Sequence, residues 1–137
     1  MPFETQVTVR FREVDRAGIA FFGQVFDYCH VAYEELLARM FDPIDIAFGR
    51  EGWGTPVVHA EADFRRPMCL GDRLTVAMEL ERLGRRSVTF SYRVSGPDDD
   101  ERAAVRIVHA FADMAAMAPC DVPEAFTAGL KRLGLLD

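Results

Sequence analysis

One carboxylate stands where reaction chemistry is conceivable. The stretch from Val9 to Tyr28 ends an apolar alternation, turns past Asp15 and Gly18, and enters an aromatic-rich segment of helical period at about Phe21 and Phe22. Asp15 therefore lies beside a helix N-terminus, where unpaired backbone N–H groups and the helix dipole favour an oxygen anion. An acid beside such an end can meet a carbonyl whose oxygen becomes negative during reaction. Local sequence also permits a plainer role, since aspartate between strand and helix commonly caps or turns the chain.

Other side chains carry two readings each. Phe21, Phe22, Phe26, Tyr28 and Trp53 can line an aromatic pocket or fill an ordinary core. Tyr28 and Trp53 stand out because each has a polar atom able to meet a substrate hydroxyl. His30 lies within the expected helix, as a subunit contact or a substrate contact. His59 and His109 fall on expected strands, where structural or interfacial roles are the plainer reading, and His59 is kept as a substrate-binding candidate with Gly18. Arg85 and Arg86 precede Ser87 at a hairpin, either as phosphate ligands through bidentate guanidinium bonds or as a solvated tip.

Several chemistries find no support. The three histidines and the cysteines Cys29, Cys69 and Cys120 lack metal-ligand spacing, so no metal is expected. The only serines, Ser87, Ser91 and Ser95, lie in one strand region without a nucleophile elbow. A net charge of −6 argues against nucleic acid, whose affinity comes largely from phosphate neutralisation. No apolar run approaches the ~20 residues of a membrane span. The N-terminus has no basic segment followed by an apolar core, and the unpaired thiols suit a reducing cytoplasm, so a cytoplasmic protein is expected.

The elements that must position these groups follow from periodicity. Val7, Val9 and Phe11 alternate with polar residues and predict a first strand. From about Phe21 to Met40 apolar residues recur at three and four, predicting a main helix that Phe41-Asp-Pro43 ends. A short helical turn at Ile44–Phe48 and a glycine-bearing loop from Gly49 to Gly54, carrying Trp53, come next. Thr55–Arg65 reads as a strand that Arg66-Pro67 interrupts. Two more strands, around Leu74–Leu80 and Ser87–Val94, form a hairpin turned at Leu83 to Arg86. A long run over Arg102–Met117 reads as a strand, and Glu124–Leu133 as a terminal helix. The 137 residues are expected to form one domain over residues 1–137. Helices grouped rather than alternating with strands predict an α+β fold, with one long helix packed on a curved antiparallel sheet.

The run from Val9 to Phe22, with Asp15-x-x-Gly18 followed by an apolar residue, then the helix and then Gly54-Thr-Pro-Val-Val58, resembles the hotdog-fold acyl-CoA thioesterases of the 4-hydroxybenzoyl-CoA thioesterase type. The resemblance covers roughly Val7 to Met114. It implies that Asp15 is the catalytic carboxylate, as nucleophile or general base, and that the Phe22 backbone N–H polarises the thioester carbonyl. It implies that Arg85 and Arg86 hold coenzyme A phosphates, in the partner's site if the sites are built across a dimer interface. A homodimer or homotetramer is implied, with coenzyme A entering as part of the substrate and no separate cofactor. A histidine found at the Phe22 position in a related subgroup is missing here, which favours an aryl-CoA such as 4-hydroxybenzoyl-CoA. Two rivals remain in view: a hydratase or dehydratase of acyl thioesters, disfavoured because no histidine lies near Asp15 in sequence, and a non-catalytic acyl-CoA binding protein. An acyl-carrier-protein thioester presents the same pantetheine arm as coenzyme A.

Overall fold

A helix of seventeen residues lies across one face of a five-stranded antiparallel sheet. The computed structural model describes residues 2–42, 44 and 52–137. In chain order it has β1 (Phe3–Thr8), a 3-10 turn (Phe11–Glu13), α1 (Gln24–Met40), β2 (Trp53–Gly54), β3 (Val57–Phe64), β4 (Arg73–Leu83), β5 (Ser87–Ser95), β6 (Glu101–Ala110), β7 (Ala112–Asp113), β8 (Ala118–Pro119) and α2 (Glu124–Arg132). The main sheet runs β1-β4-β5-β6-β3, all pairs antiparallel, so β1 and β3 are its edges. Strands β2, β7 and β8 form a small second sheet. No helix among the described residues is long and apolar enough to cross a membrane.

The expected α+β architecture is the observed one, and periodicity explains it. In α1 the residues Val25, Tyr28, Cys29, Ala32, Tyr33, Leu36, Leu37 and Met40 are all buried. That spacing gathers them on one stripe, and the stripe packs against β1, β4 and β6. Facing it, Leu74, Val76 and Met78 of β4, Phe90, Tyr92 and Val94 of β5, and Val105 and Ile107 of β6 project on alternate positions from the sheet. Fully burying each large side chain is worth roughly 1.5–3 kcal/mol. A register shift between Leu80 and Arg82 interrupts the β4–β5 ladder, a bulge of the kind that bends and further twists a sheet.

Some boundaries differ from the sequence expectation. The first strand ends at Thr8, and Phe11 sits in the 3-10 turn with 82% of its surface exposed. The turn is closed locally, because the Glu13 carboxylate accepts from the Arg10 N–H at 2.9 Å. The helix starts at Gln24 rather than near Phe21. Trp53 belongs to a two-residue strand paired with Ala112–Asp113, not to a loop. The expected helical turn over Ile44–Phe48 falls largely outside the described residues, as do Pro43 and the loop as far as residue 51. The long run after Arg102 stops at Ala110. Beyond it the Asp113 carboxylate accepts from the N–H groups of Ala115 and Ala116, turning the chain into β8.

The terminal helix α2 closes one end of the core. Phe126 is fully buried against Phe111 and Trp53 in edge-to-face contacts at 5.0 and 6.2 Å between ring centroids. A Cβ on Gly129 would meet the Met40 side chain, so glycine is what allows α2 to approach the end of α1. His109 is the buried histidine of the core, 1% exposed. Its Nδ1 lies 2.9 Å from the Thr55 carbonyl oxygen, which makes Nδ1 the donor, and its ring stacks on Tyr33 at 4.3 Å. Nε2 is buried with no partner among the described residues. Burial holds the His109 pKa below its ordinary value, the bond to Thr55 opposing and nearby His30 assisting.

Two outcomes are expected. Phe126→Ala should lower unfolding free energy by about 3–5 kcal/mol through cavity formation, read from urea denaturation midpoints. His109 takes up protons more readily when unfolded, so its contribution to stability falls as pH drops through the ordinary histidine range toward its depressed folded pKa. His109→Asn should therefore flatten the loss of stability between about pH 7 and pH 5.5 relative to the parent, by less than about 1.4 kcal/mol per pH unit. An unchanged slope would show that His109 is not the group responsible.

Candidate active site

The Asp15 turn is built from its own backbone and one side-chain oxygen. The Gly18 N–H donates to the Asp15 carbonyl at 3.0 Å, and the Asp15 N–H donates to the Ile19 carbonyl at 2.9 Å. Asp15 Oδ1 accepts from the Ala17 N–H at 2.8 Å, which orients the carboxylate. Gly18 has φ of +79°, a left-handed conformation that costs glycine little and other residues more. Among the described residues no group donates to Asp15 Oδ2, so that oxygen is available.

The helix entrance lies beside this carboxylate. Phe21 N–H donates to the Glu13 carbonyl at 2.9 Å, while the carbonyls of Phe21, Phe22 and Gly23 accept from Gln24, Val25 and Phe26. Among the described residues nothing accepts from the Phe22 N–H, which is one of the orphan donors of a helix start. Asp15, Phe21 and Phe22 line one side of an open cleft of about 450 Å³, and Phe64, Arg65, Arg66, Pro67 and Met68 line the other. Its volume suits a small-molecule site. Asp15 and Phe22 thus line one cavity, and among the described residues the Asp15 Oδ2 and the Phe22 N–H have no hydrogen-bond partner.

Other residues singled out in the sequence lie elsewhere in the chain. Tyr28 is buried beneath the 3-10 turn and donates from its hydroxyl to Glu13 at 2.9 Å, so it does not line the Asp15 cleft. Burial and the Glu13 carboxylate push its pKa well up. Trp53 is 5% exposed among Phe41, Phe111 and Phe126, a core position. His59 stands on the exposed β3 with its Nε2 3.0 Å from Glu61. His30 lines a second cavity of about 590 Å³ with Tyr33, Glu34, Thr55, Pro56 and Met114. Tyr33 donates to the Thr55 hydroxyl there at 2.8 Å.

Arg85 and Arg86 form the tip of the β4–β5 hairpin, where both approach Asp121, at 3.3 and 3.1 Å. That tip adjoins the Val57 end of β3, because Ser87 pairs with Ala110 and the Ala110 N–H donates to Pro56. The Asp15 cleft adjoins the Phe64 end. The eight residues of β3 separate the two by roughly 25 Å at about 3.3 Å per residue. Within the chain the arginines and Asp15 therefore do not share a cavity. Arg65 and Arg66, at the mouth of the cleft, were not singled out in the sequence. The Arg66-Pro67 strand break was the only signal, and it carries no chemistry until the fold sets it opposite Asp15.

The chain is similar to known proteins over most of its length. The family model described as "Thioesterase-like superfamily" matches residues 9–130. A 1,4-dihydroxy-2-naphthoyl-CoA hydrolase from Nostoc punctiforme is 36% identical over 95 residues, covering 69% of this chain and 64% of that protein, so the match spans a little under two thirds of that relative. The enzyme of the same name from Prochlorococcus marinus (strain MIT 9313) is 34% identical over 136 residues, covering 93% of this chain and 88% of that protein. The crystal structure of a 1,4-dihydroxy-2-naphthoyl-CoA thioesterase from Synechocystis superimposes with a TM-score of 0.85 at 24% identity, covering 97% of this chain and 98% of that one, which shows the shared hotdog fold. By the family match and these identities, the chain belongs to the thioesterase-like superfamily.

Proposed function

We propose that the chain hydrolyses an aryl-CoA thioester, and that its acyl group is a hydroxylated aromatic ring system. The observation that carries this reading is the pairing of a free Asp15 carboxylate oxygen with the unpaired Phe22 amide on one cleft. The amide polarises the thioester carbonyl and holds the oxyanion as it forms. Asp15 acts in one of two ways. As nucleophile it forms a bond to the carbonyl carbon, the C–S bond breaks, coenzyme A leaves as thiolate, and water then opens the mixed anhydride. As general base it takes a proton from water, whose oxygen bonds to the carbonyl carbon before the thiolate leaves.

The relatives named above act on 1,4-dihydroxy-2-naphthoyl-CoA, so that fused-ring thioester becomes a leading candidate beside 4-hydroxybenzoyl-CoA. The working unit is a homodimer. Strand β3 is an unpaired edge, and Val57, Val58 and Phe64 on it are exposed apolar residues, a template for pairing with a second strand. Antiparallel pairing of β3 with its copy about a two-fold axis sets the Phe64 end of one chain beside the Val57 end of the other. It brings Asp15 of one protomer toward the partner's second cavity, with its His30, Tyr33 and Thr55, and toward the partner's Arg85 and Arg86. The acyl group, the reacting carbonyl and the nucleotide of coenzyme A then all find residues on one composite site. Arg65 and Arg66 stand at its mouth as further phosphate partners.

Steady-state thiol release from a panel of aryl-CoA and aliphatic CoA thioesters tests the reading. The parent should turn over hydroxylated aryl thioesters best. Asp15→Asn, whose amide oxygen keeps the bond to Ala17, should lose about 10²–10⁴ in kcat while still binding substrate. An aliphatic preference would overturn the aryl assignment, and a variant at full rate would overturn the role of Asp15. Single turnover in oxygen-18 water separates the two routes: label entering Asp15 supports the anhydride, and its absence sinks it. Val58→Glu, which sets four carboxylates near the paired strands with Glu61, should shift the protein from dimer to monomer in sedimentation and lower kcat/KM at least about tenfold. A dimer with parental activity would remove the composite site.

A further inference from the structure

Arg102 is remote from the reacting groups along the chain, yet it ties together the whole wall opposite Asp15. It lies on β6 with a side chain 12% exposed. Its Nε donates to Asp100 Oδ2 at 2.7 Å, and its Nη1 donates both to Asp72 Oδ2 and to the Pro67 carbonyl, each at 2.7 Å. Its own carbonyl accepts from the N–H groups of Arg65 and Arg66, at 2.8 and 3.2 Å. One residue thus holds the cleft residues 65 to 67 and, through Asp72, the strap of residues 67–72.

That strap in turn holds the Asp15 turn. Asp72 Oδ2 also accepts from the Cys69 N–H at 2.9 Å, closing the strap on itself. The Ala20 N–H donates to the Met68 carbonyl at 2.7 Å, and the Leu70 N–H donates to the Gly18 carbonyl at 3.0 Å. Gly18 and Ile19 are the residues whose backbone closes on Asp15. We infer that Arg102 is a positioning residue for the Asp15 turn, acting through Pro67, Asp72 and the 67–72 strap.

Two features separate this from an ordinary surface ion pair. A guanidinium at this depth is costly to bury and is held by two carboxylates and a carbonyl, so removing it leaves those partly buried acceptors without their donor. Space is also reserved for it: a Cβ on buried Gly96 would overlap the Arg102 guanidinium. The β5–β6 turn carries glycine at the point where any other residue would displace Arg102.

The inference rests on Asp15 as the reacting carboxylate only for its consequence in rate, so the test reads structure and rate separately. Amide hydrogen exchange and steady-state kinetics would be measured on the full chain as parent, Arg102→Met, Arg102→Lys and Gly96→Ala, with the thioester that the parent hydrolyses best. The expected result is exchange at Ala20 and Leu70 at least about tenfold faster in Arg102→Met, with Phe90 in the sheet centre changed less than about twofold. With it kcat should fall about 10- to 100-fold, as an ångström-scale misplacement allows, while KM changes less than about threefold. Lysine lacks the fork that reaches Asp72, Asp100 and Pro67 together and should rescue only in part. Gly96→Ala should move exchange and kcat in the same direction without touching the cleft, and it carries the test if Arg102→Met does not fold. Unchanged exchange at Ala20 and Leu70, or a uniform rise that includes Phe90, would overturn the inference. Asp15→Asn at full rate would instead remove the Asp15 mechanism, leaving the exchange result to decide what Arg102 holds.

Discussion

The burial of a single apolar stripe of α1 against one face of the sheet is the constraint on which the other features depend. Eight side chains from Val25 to Met40 must leave water together, and only a curved sheet presenting Leu74, Val76, Met78, Phe90 and Val105 on one side accepts them. Once the helix lies there, its N-terminus comes to the corner where the chain has just left β1. The Asp15 turn fills the short link between strand and helix. The helix entrance and the carboxylate are neighbours because backbone bonds from Asp15 to Ile19 and from Phe21 to Glu13 fold the link back on itself.

That corner also explains why the site is made from backbone as much as from side chains. The sheet saturates its interior donors and acceptors, so free ones remain at edges and helix starts. The Phe22 amide is such a donor, and its ring adds an apolar wall rather than chemistry. Opposite it, the 67–72 strap is fastened to the turn by backbone bonds to Gly18 and Ala20 and to β6 by Arg102. The cleft is therefore held between a helix end that the core fixes and a strap that an ion-paired arginine fixes.

The same sheet leaves a single chain with groups at opposite ends. Asp15 adjoins the Phe64 end of β3, whereas Arg85, Arg86 and the cavity beside His30 adjoin the Val57 end. An edge strand exposed on both faces lies between them. A two-fold axis through that strand is the simplest operation that brings both ends to one substrate, which is why the proposed site belongs to two chains.

Much of this was legible in the residues themselves. Period three-to-four over Val25 to Met40 and period two over Leu74 to Leu80 announce a helix and a strand because burial on one face imposes those spacings. Asp15 before Gly18 and an aromatic helix start announced the turn, because local backbone geometry needs those residue types close in sequence. Tyr28, Trp53 and His59 illustrate what local pattern does not contain. A buried Tyr28 on Glu13, a Trp53 wedged among Phe41, Phe111 and Phe126, and a His59 set on an edge strand by the pairing of β3 with β6 all depend on residues outside the local pattern. Arg65 and Arg66 at the cleft mouth, and Arg102 behind it, became visible only through tertiary structure. Composition and periodicity thus determined that this chain would lay one long helix on an antiparallel sheet with Asp15 at the corner. The tertiary structure decided which polar groups share a cleft with that carboxylate, since strand order and the path of the 67–72 strap join Gly18 to Leu70 and Arg102 to Pro67, and no local spacing records them.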